Sequence, residues 1–290
     1  MADVAVVTDS TSCLPGALVE RLGITVVSLY YNVGGGWLRE SDFDGDFAQF
    51  YEALDASRSV AATSPPTADD FVAVFDSLLR QHSAVVAVLI SSGLSETCSL
   101  ARHAAATFGD DGERVEVIDS AGTAGHLGVQ AMAAAHAAAE GQDKSGVTVA
   151  TRRARHEVRQ WFVVDTLEYL RRGGRIGGAA AWLGSALDLK PILMVGSEFR
   201  AIERVRTRRR AVERLVELMH QRRAVGAERY FINHADAYED AMRLAQRLRE
   251  LFGSEPEFIS ELGPVVATNG GPGVLAVGSV PGAAMGYALG

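Results

Sequence analysis

The residues best equipped for chemistry are uncharged hydroxyls gathered in a few places. Thr63-Ser64-Pro65-Pro66-Thr67 sets hydroxyls on a segment stiffened by two prolines. Ser91-Ser92-Gly93-Leu94-Ser95 follows the apolar run 84–90, AVVAVLI. There the backbone N–H groups of Ser92 and Gly93 and the Ser95 hydroxyl could converge on an anion. On composition alone, capping of the following helix is the plainer role for Ser95. An oxyanion hole for acyl transfer would look similar locally, with Ser95 as nucleophile of a lipid acyltransferase or hydrolase. That chemistry needs a paired base, and none is visible. The chain has no GxSxG elbow, no P-loop and no HExxH, and its seven histidines lack metal-ligand spacing. GGRIGG at 173–178 does not follow a long β-run with an acidic partner downstream, so it is no dinucleotide fingerprint. No cofactor and no metal are expected.

The elements that must position these hydroxyls alternate in the first half. DVAVVT (3–8), AVVAVLI (84–90) and VEVI (115–118) are short apolar runs, each ending in small polar residues, with helical stretches between. This pattern predicts a parallel sheet covered on both faces, with ligands at the carboxyl ends of its strands. Thr67 with Asp70 three residues on resembles a capping box. The second half has another texture. WFVV (161–164) leads through GGRIGG to a helix-like AAAWLGSALDL (179–189) and the strand KPILMV, with a second strand beyond Gly196-Ser197. Thr207 is placed to cap an arginine-rich helix, and the last strands fall near 229–233 and 257–261, before the glycine-rich 263–273. The fold class expected is α/β in two domains: a parallel-sheet α/β/α domain over 1–157 and a mixed α+β domain over 158–290.

Apolar residues make up 48% of the 290 and charged residues 22%, a soluble globular balance. No apolar run is long enough to span a membrane, and MADVAVVTDS lacks the features of a signal peptide. Cys13 and Cys98 show no disulfide or zinc pattern and read as buried packing residues of a cytoplasmic protein. The net charge of −8 disfavours a nucleic-acid-binding regulator, although Arg200, Arg204, Arg206, Arg208, Arg209 and Arg210 crowd one stretch and Arg171, Arg172 and Arg175 another. Either cluster can be a solvated helix face or a landing site for phosphate or an acidic partner.

Six strings carry a resemblance: TDSTS (8–12), TSPPT (63–67), SSGLSETC (91–98), DTLEYLRRGGRIGGAAAWLGSALDLKPIL (165–193), RVRTRRRAV (204–212) and GPVVATNGGPGVLAVG (263–278). In this order they resemble the DegV family of bacterial fatty-acid-binding proteins, over nearly the whole chain. The resemblance implies two α/β domains with a buried acyl chain whose carboxyl is held at Thr63, Ser95 and position 269. It implies as partner a separate fatty-acid kinase that makes an acyl phosphate, with Arg175 and Arg206 as contacts for that partner or for phosphate. Where the family commonly has histidine, this chain has Asn269. An asparagine amide can donate a hydrogen bond to a carboxylate, but it cannot carry a proton charge. The resemblance thus leaves open a lipid sensor that no longer takes part in phosphorylation. His126, in the loop after Asp119-Ser120, could compensate, although an incidental loop histidine is the plainer reading.

Overall fold

The computed structural model describes residues 3–57, 61–183 and 189–286. The first half runs β1 (Val4–Asp9), α1 (Gly16–Leu22), β2 (Ile24–Val27), β3 (Tyr30–Asn32), β4 (Leu38–Arg39), α2 (Phe47–Ala56), β5 (Ala62–Ser64) and α3 (Ala68–Leu79). It continues with β6 (Ala84–Leu89), α4 (Thr97–Ala106), β7 (Val115–Asp119), α5 (Gly125–Ala139) and α6 (Lys144–Glu157). The second half contains β8 (Arg159–Val163), α7 (Glu168–Arg172), β9 (Lys190–Met194), β10 (Arg200–Val205), α8 (Arg208–Ala224) and β11 (Arg229–Ala235). It closes with α9 (Tyr238–Phe252), β12 (Ile259–Glu261), α10 (Pro264–Gly270) and β13 (Val274–Val280).

Strands β2-β1-β6-β7 form an all-parallel sheet. VAVVTD and AVVAVL are buried at every position, because helices cover both faces. On one face Val7, Val85 and Leu89 pack against Phe71 and Phe75 of α3 and Ala101 of α4. On the other, Val6, Val86 and Val88 meet Leu127, Ala131 and Ala134 of α5. The architecture is the α/β fold that the alternating pattern predicts. Thr67 caps α3 as its spacing with Asp70 predicts: Thr67 Oγ1 accepts the Asp70 N–H at 3.1 Å, and Asp70 Oδ2 accepts the Thr67 N–H at 2.8 Å. Thr67→Ala is expected to cost about 1 kcal/mol, measured by denaturant unfolding.

The second sheet, β10-β9-β8-β13-β11-β12, is antiparallel except for the β11–β12 pair. Its outer face carries Trp161, Ile192, Tyr230 and Val277 against α8 and α9. Its inner face turns Phe162, Leu193 and Ala276 toward the first half. Between the two sheets lies α5, with twelve of its fifteen residues buried. A helix closed in on all sides needs slim side chains, and its alanines meet that need. All strands of the parallel sheet precede residue 120 and all strands of the mixed sheet follow residue 158, but the largest apolar core joins residues of both halves.

Three elements differ from the sequence reading. TSPPT is not wholly loop: Thr63 and Ser64 lie on β5, which pairs with β3 in a small β4-β3-β5 sheet. The strand β13, central to the mixed sheet, follows the glycine-rich 263–273, beyond the last strand expected from the sequence. The stretch expected as a helix over 179–189 is a 3-10 helix where described, over Gly177–Trp182, and 184–188 lie outside the described residues. No described helix is long and apolar enough to cross a membrane.

Candidate functional site

A cavity between the two sheets collects residues from Thr11 to Ala276. Leu29, Ile90, Leu94, Phe162, Leu170, Val195, Phe199, Leu262, Val265, Val266 and Val274 make its walls apolar. It holds about 800 Å³ of space free of atoms, part of it open to solvent. Thr63, Ser95, Arg175 and Asn269 line one end and are only half-buried. Thr63, Arg175 and Asn269 also line a more polar hollow beside it, together with Tyr169, Arg172, Gly173 and Thr268. The cavity is a greasy slot with hydroxyls and a guanidinium at its mouth.

Three elements set this mouth. Thr63 comes from β5, Ser95 from the turn before α4, and Asn269 from the last turn of α10. Ser95 Oγ accepts the Thr97 N–H at 3.3 Å and lies 2.8 Å from Thr97 Oγ1, so it serves the start of α4 and still faces the cavity. Neither partner is a base that could activate it. Asn269 Nδ2 donates to Thr63 Oγ1 at 3.2 Å and to the Val265 carbonyl at 3.0 Å. Both amide hydrogens are therefore engaged, and Asn269 acts by fixing the Thr63 hydroxyl, whose own proton stays available to an anion. Gly173 lets this happen, because a Cβ there would stand 2.1 Å from Asn269 Oδ1. Arg175 is held by its Nε donating to the Leu94 carbonyl at 3.1 Å and by its Nη1 donating to the Gly173 carbonyl.

Other residues singled out in the sequence fall elsewhere. Ser92 and Gly93 do not line the cavity. Ser92 is exposed, and its N–H donates to Asp119 Oδ2 at 3.3 Å. Gly93 faces the turn after β9, where a Cβ would lie 2.2 Å from the Ser197 carbonyl oxygen. Arg206 is exposed beyond the cavity and forms no ion pair with a described residue. Most of its neighbours pair off: Arg208 with Asp240, Arg209 with Glu213, and Arg210 with Glu213 and Glu217. Much of the arginine cluster is thus a self-neutralised helix face. His126 cannot stand in for the absent histidine. It sits in the first turn of α5, buried outside the cavity, and burial pushes its pKa down to about 3. The sequence reading missed Thr123 and Gln160, and it held Thr11 only within the TDSTS string; all three are buried residues that line the cavity.

A family model described as an uncharacterised protein of the DegV family matches residues 3–282. The chain belongs to the DegV family. A DegV domain-containing protein of Streptomyces coelicolor is 37% identical over 278 residues, covering 94% of this chain and 97% of that one. Protein DegV of Bacillus subtilis is 31% identical, covering 95% and 98%. Among solved structures, a DegV family protein from Thermus thermophilus described by its fatty acid binding aligns with a TM-score of 0.87 at 32% identity, covering 96% of this chain and 99% of that one. DegV of Bacillus subtilis, described as a fatty acid binding protein, aligns with a TM-score of 0.85 at 30% identity, covering 97% and 100%.

In this DegV chain two buried carboxyls flank the site without entering it. Asp9 accepts from the N–H groups of Thr11 and Ile90, at 3.0 and 2.7 Å. Burial outweighs those bonds and lifts its pKa to about 6. Glu40 Oε1 accepts the Val265 N–H at 2.8 Å, tying the β3–β4 region to the helix that carries Asn269. Burial raises its pKa to about 7. Both pKa values lie above their unfolded values, so the folded state favours the protonated forms. The stability they contribute is complete below about pH 4 and is lost as pH rises through about 6 to 7. Glu40→Gln mimics the protonated form. Its melting temperature is expected to match the parent near pH 4 and exceed it near pH 8, by an effect on the order of 3 kcal/mol. Parallel melting curves for the two proteins would overturn this.

Proposed function

We propose that this chain binds a long-chain fatty acid, with the tail in the apolar cavity and the carboxylate at Thr63 and Ser95. Asn269 positions Thr63, and Arg175 stands by the charge. The observation that carries the reading is the polarity of the cavity: apolar walls leading inward from a half-exposed mouth of uncharged hydroxyls. Burying about a dozen methylenes is worth on the order of 10 kcal/mol before association and ordering costs. The head group then needs only enough hydrogen bonds to avoid an unpaired buried charge, and two hydroxyls provide them without a catalytic base. Solved relatives above 25% identity that are described as binding fatty acids support the reading.

The carboxylate would be presented to a partner fatty-acid kinase for acyl-phosphate formation, in the cytoplasm. In support, the mouth opens beside the hollow lined by Arg172 and Arg175, which suits an incoming phosphoryl group. A second reading is favoured by Asn269, which has no titrating proton: a carrier or sensor that holds the lipid without phosphorylation.

Native mass spectrometry of the purified protein, followed by denaturing lipid extraction, tests the binding. A stoichiometric fatty acid is expected; no lipid after incubation with a panel of fatty acids overturns the reading. Incubating the loaded protein with a fatty-acid kinase and ATP separates carrier from sensor, because only the carrier yields an acyl phosphate.

A further inference from the structure

We infer that Gln160 is the stop that sets the length of acyl chain this protein accepts, an inference that rests on the fatty-acid reading above. The cavity has a direction. Its mouth residues Thr63, Ser95, Arg175 and Asn269 are half-buried, whereas Thr11, Thr123 and Gln160 at the other end are buried, Gln160 with 1% exposure. The register of β8 against β13 gives the distance between the ends. Val274 follows α10 and its Asn269 closely, Ala276 lies level with Phe162, and Gly278 lies level with Gln160. Four residues of strand from Val274 to Gly278 span about 14 Å. A tail entering at the mouth therefore runs past Phe162 and Ala276 and meets Gln160.

A polar floor is an unusual end for an acyl slot, and its hydrogen bonds explain its use. Gln160 Oε1 accepts the His126 N–H at 2.8 Å, and Gln160 Nε2 donates to Asn233 Oδ1 at 3.0 Å. Asn233 in turn accepts the Gly125 N–H at 3.0 Å and donates to Ser260 Oγ at 2.9 Å. Ser260 Oγ donates to the Cys13 carbonyl at 2.6 Å. Thr11 Oγ1 is bound to Asp9 at 2.5 Å, and Thr123 Oγ1 faces the Thr11 carbonyl at 3.4 Å. Each floor side chain is thus anchored away from the tail. An apolar wall can repack around an extra methylene, but swinging Gln160 aside would strand the His126 N–H without a partner and take from Asn233 Oδ1 one of its two donors. The floor is a fixed length stop.

The test is competition of saturated fatty acids of roughly twelve to twenty carbons against a fluorescent fatty acid, for the parent and three variants. Gln160→Ala removes the stop. It is expected to move the best-bound chain longer by about two carbons, changing the affinity ratio of the two lengths about tenfold. Gln160→Leu keeps the volume and loses the hydrogen bonds that hold the stop, and is expected to melt earlier and to discriminate less against chains one or two carbons longer than the parent prefers. Ala276→Leu leaves the network intact, fills the middle of the path, and is expected to favour shorter chains. It decides the question if Gln160→Ala does not fold. A parent that binds fatty acids, with an unchanged length profile in Gln160→Ala and Ala276→Leu, overturns the stop and leaves the fatty-acid reading standing. A parent that binds none of the acids overturns both.

Discussion

Replacing Thr63 and Ser95 together by alanine is expected to weaken binding of a free fatty acid by more than about a hundredfold, while binding of its methyl ester changes only a few-fold. A hydrogen bond to a charged group is worth about 1.5–3 kcal/mol, and the two hydroxyls would supply two of them to the carboxylate. The ester carries no charge and owes its affinity to the tail, which the double variant buries as the parent does. Isothermal titration with the acid and the ester reads both arms. Co-purification of the acid at parental level from the double variant, with the carboxyl still phosphorylated by a kinase, would show that the head group sits elsewhere. Asn269→Ala should give a smaller loss, because Asn269 acts on the carboxylate through the position of Thr63.

Gly93→Ala is expected to destabilise the protein by about 2–3 kcal/mol, although Gly93 does not line the cavity. Its Cβ would stand 2.2 Å from the Ser197 carbonyl oxygen. That oxygen already accepts the Ser91 hydroxyl at 2.8 Å. Two backbones meet there, so relief requires the Ser91–Ser95 turn and the turn after β9 to part, and overpacking of this kind typically costs about 1–3 kcal/mol. The loss should appear as a melting temperature lower by about 5 °C. Ser92→Ala is the contrast: Ser92 is exposed and donates only its backbone N–H, so the change should stay within about 0.5 kcal/mol. Equal melting temperatures for Gly93→Ala and the parent would mean that the two turns do not meet closely. The pair also separates two meanings of the SSGLS string, in which the glycine joins two sheets and the last serine faces the cavity.

The strands β1 and β6 were legible because each is buried on both faces, which forces unbroken β-branched runs on the sequence itself. The start of α3 was legible because its cap is local: Thr67 and Asp70 are three residues apart. Strand β13 was not. Ala276 and Gly278 lie beyond the last strand expected from the sequence, and their small size is explained only by what lies against them. Gly278 packs on Phe231 and the Arg159 carbonyl, and Ala276 leaves room in the cavity. The short β5 was also hidden, since its three residues become a strand only through pairing with β3.

The site divides along the same line. The hydroxyls of Thr63 and Ser95 could be singled out from the sequence, because proline-stiffened and strand-end segments restrict where small polar side chains can point. Family membership was also present in the order of the motifs, since those strings are local. Three things were decided only by the tertiary structure. Asn269 turns its amide to Thr63, Gly93 meets Ser197, and Gln160 closes the cavity from β8 through partners on α5 and β11. Each depends on groups tens to hundreds of residues away in the chain. Local sequence specifies propensity, caps and periodicity, whereas the position of a hydrogen-bond partner or a colliding backbone exists only after the two sheets have closed on α5.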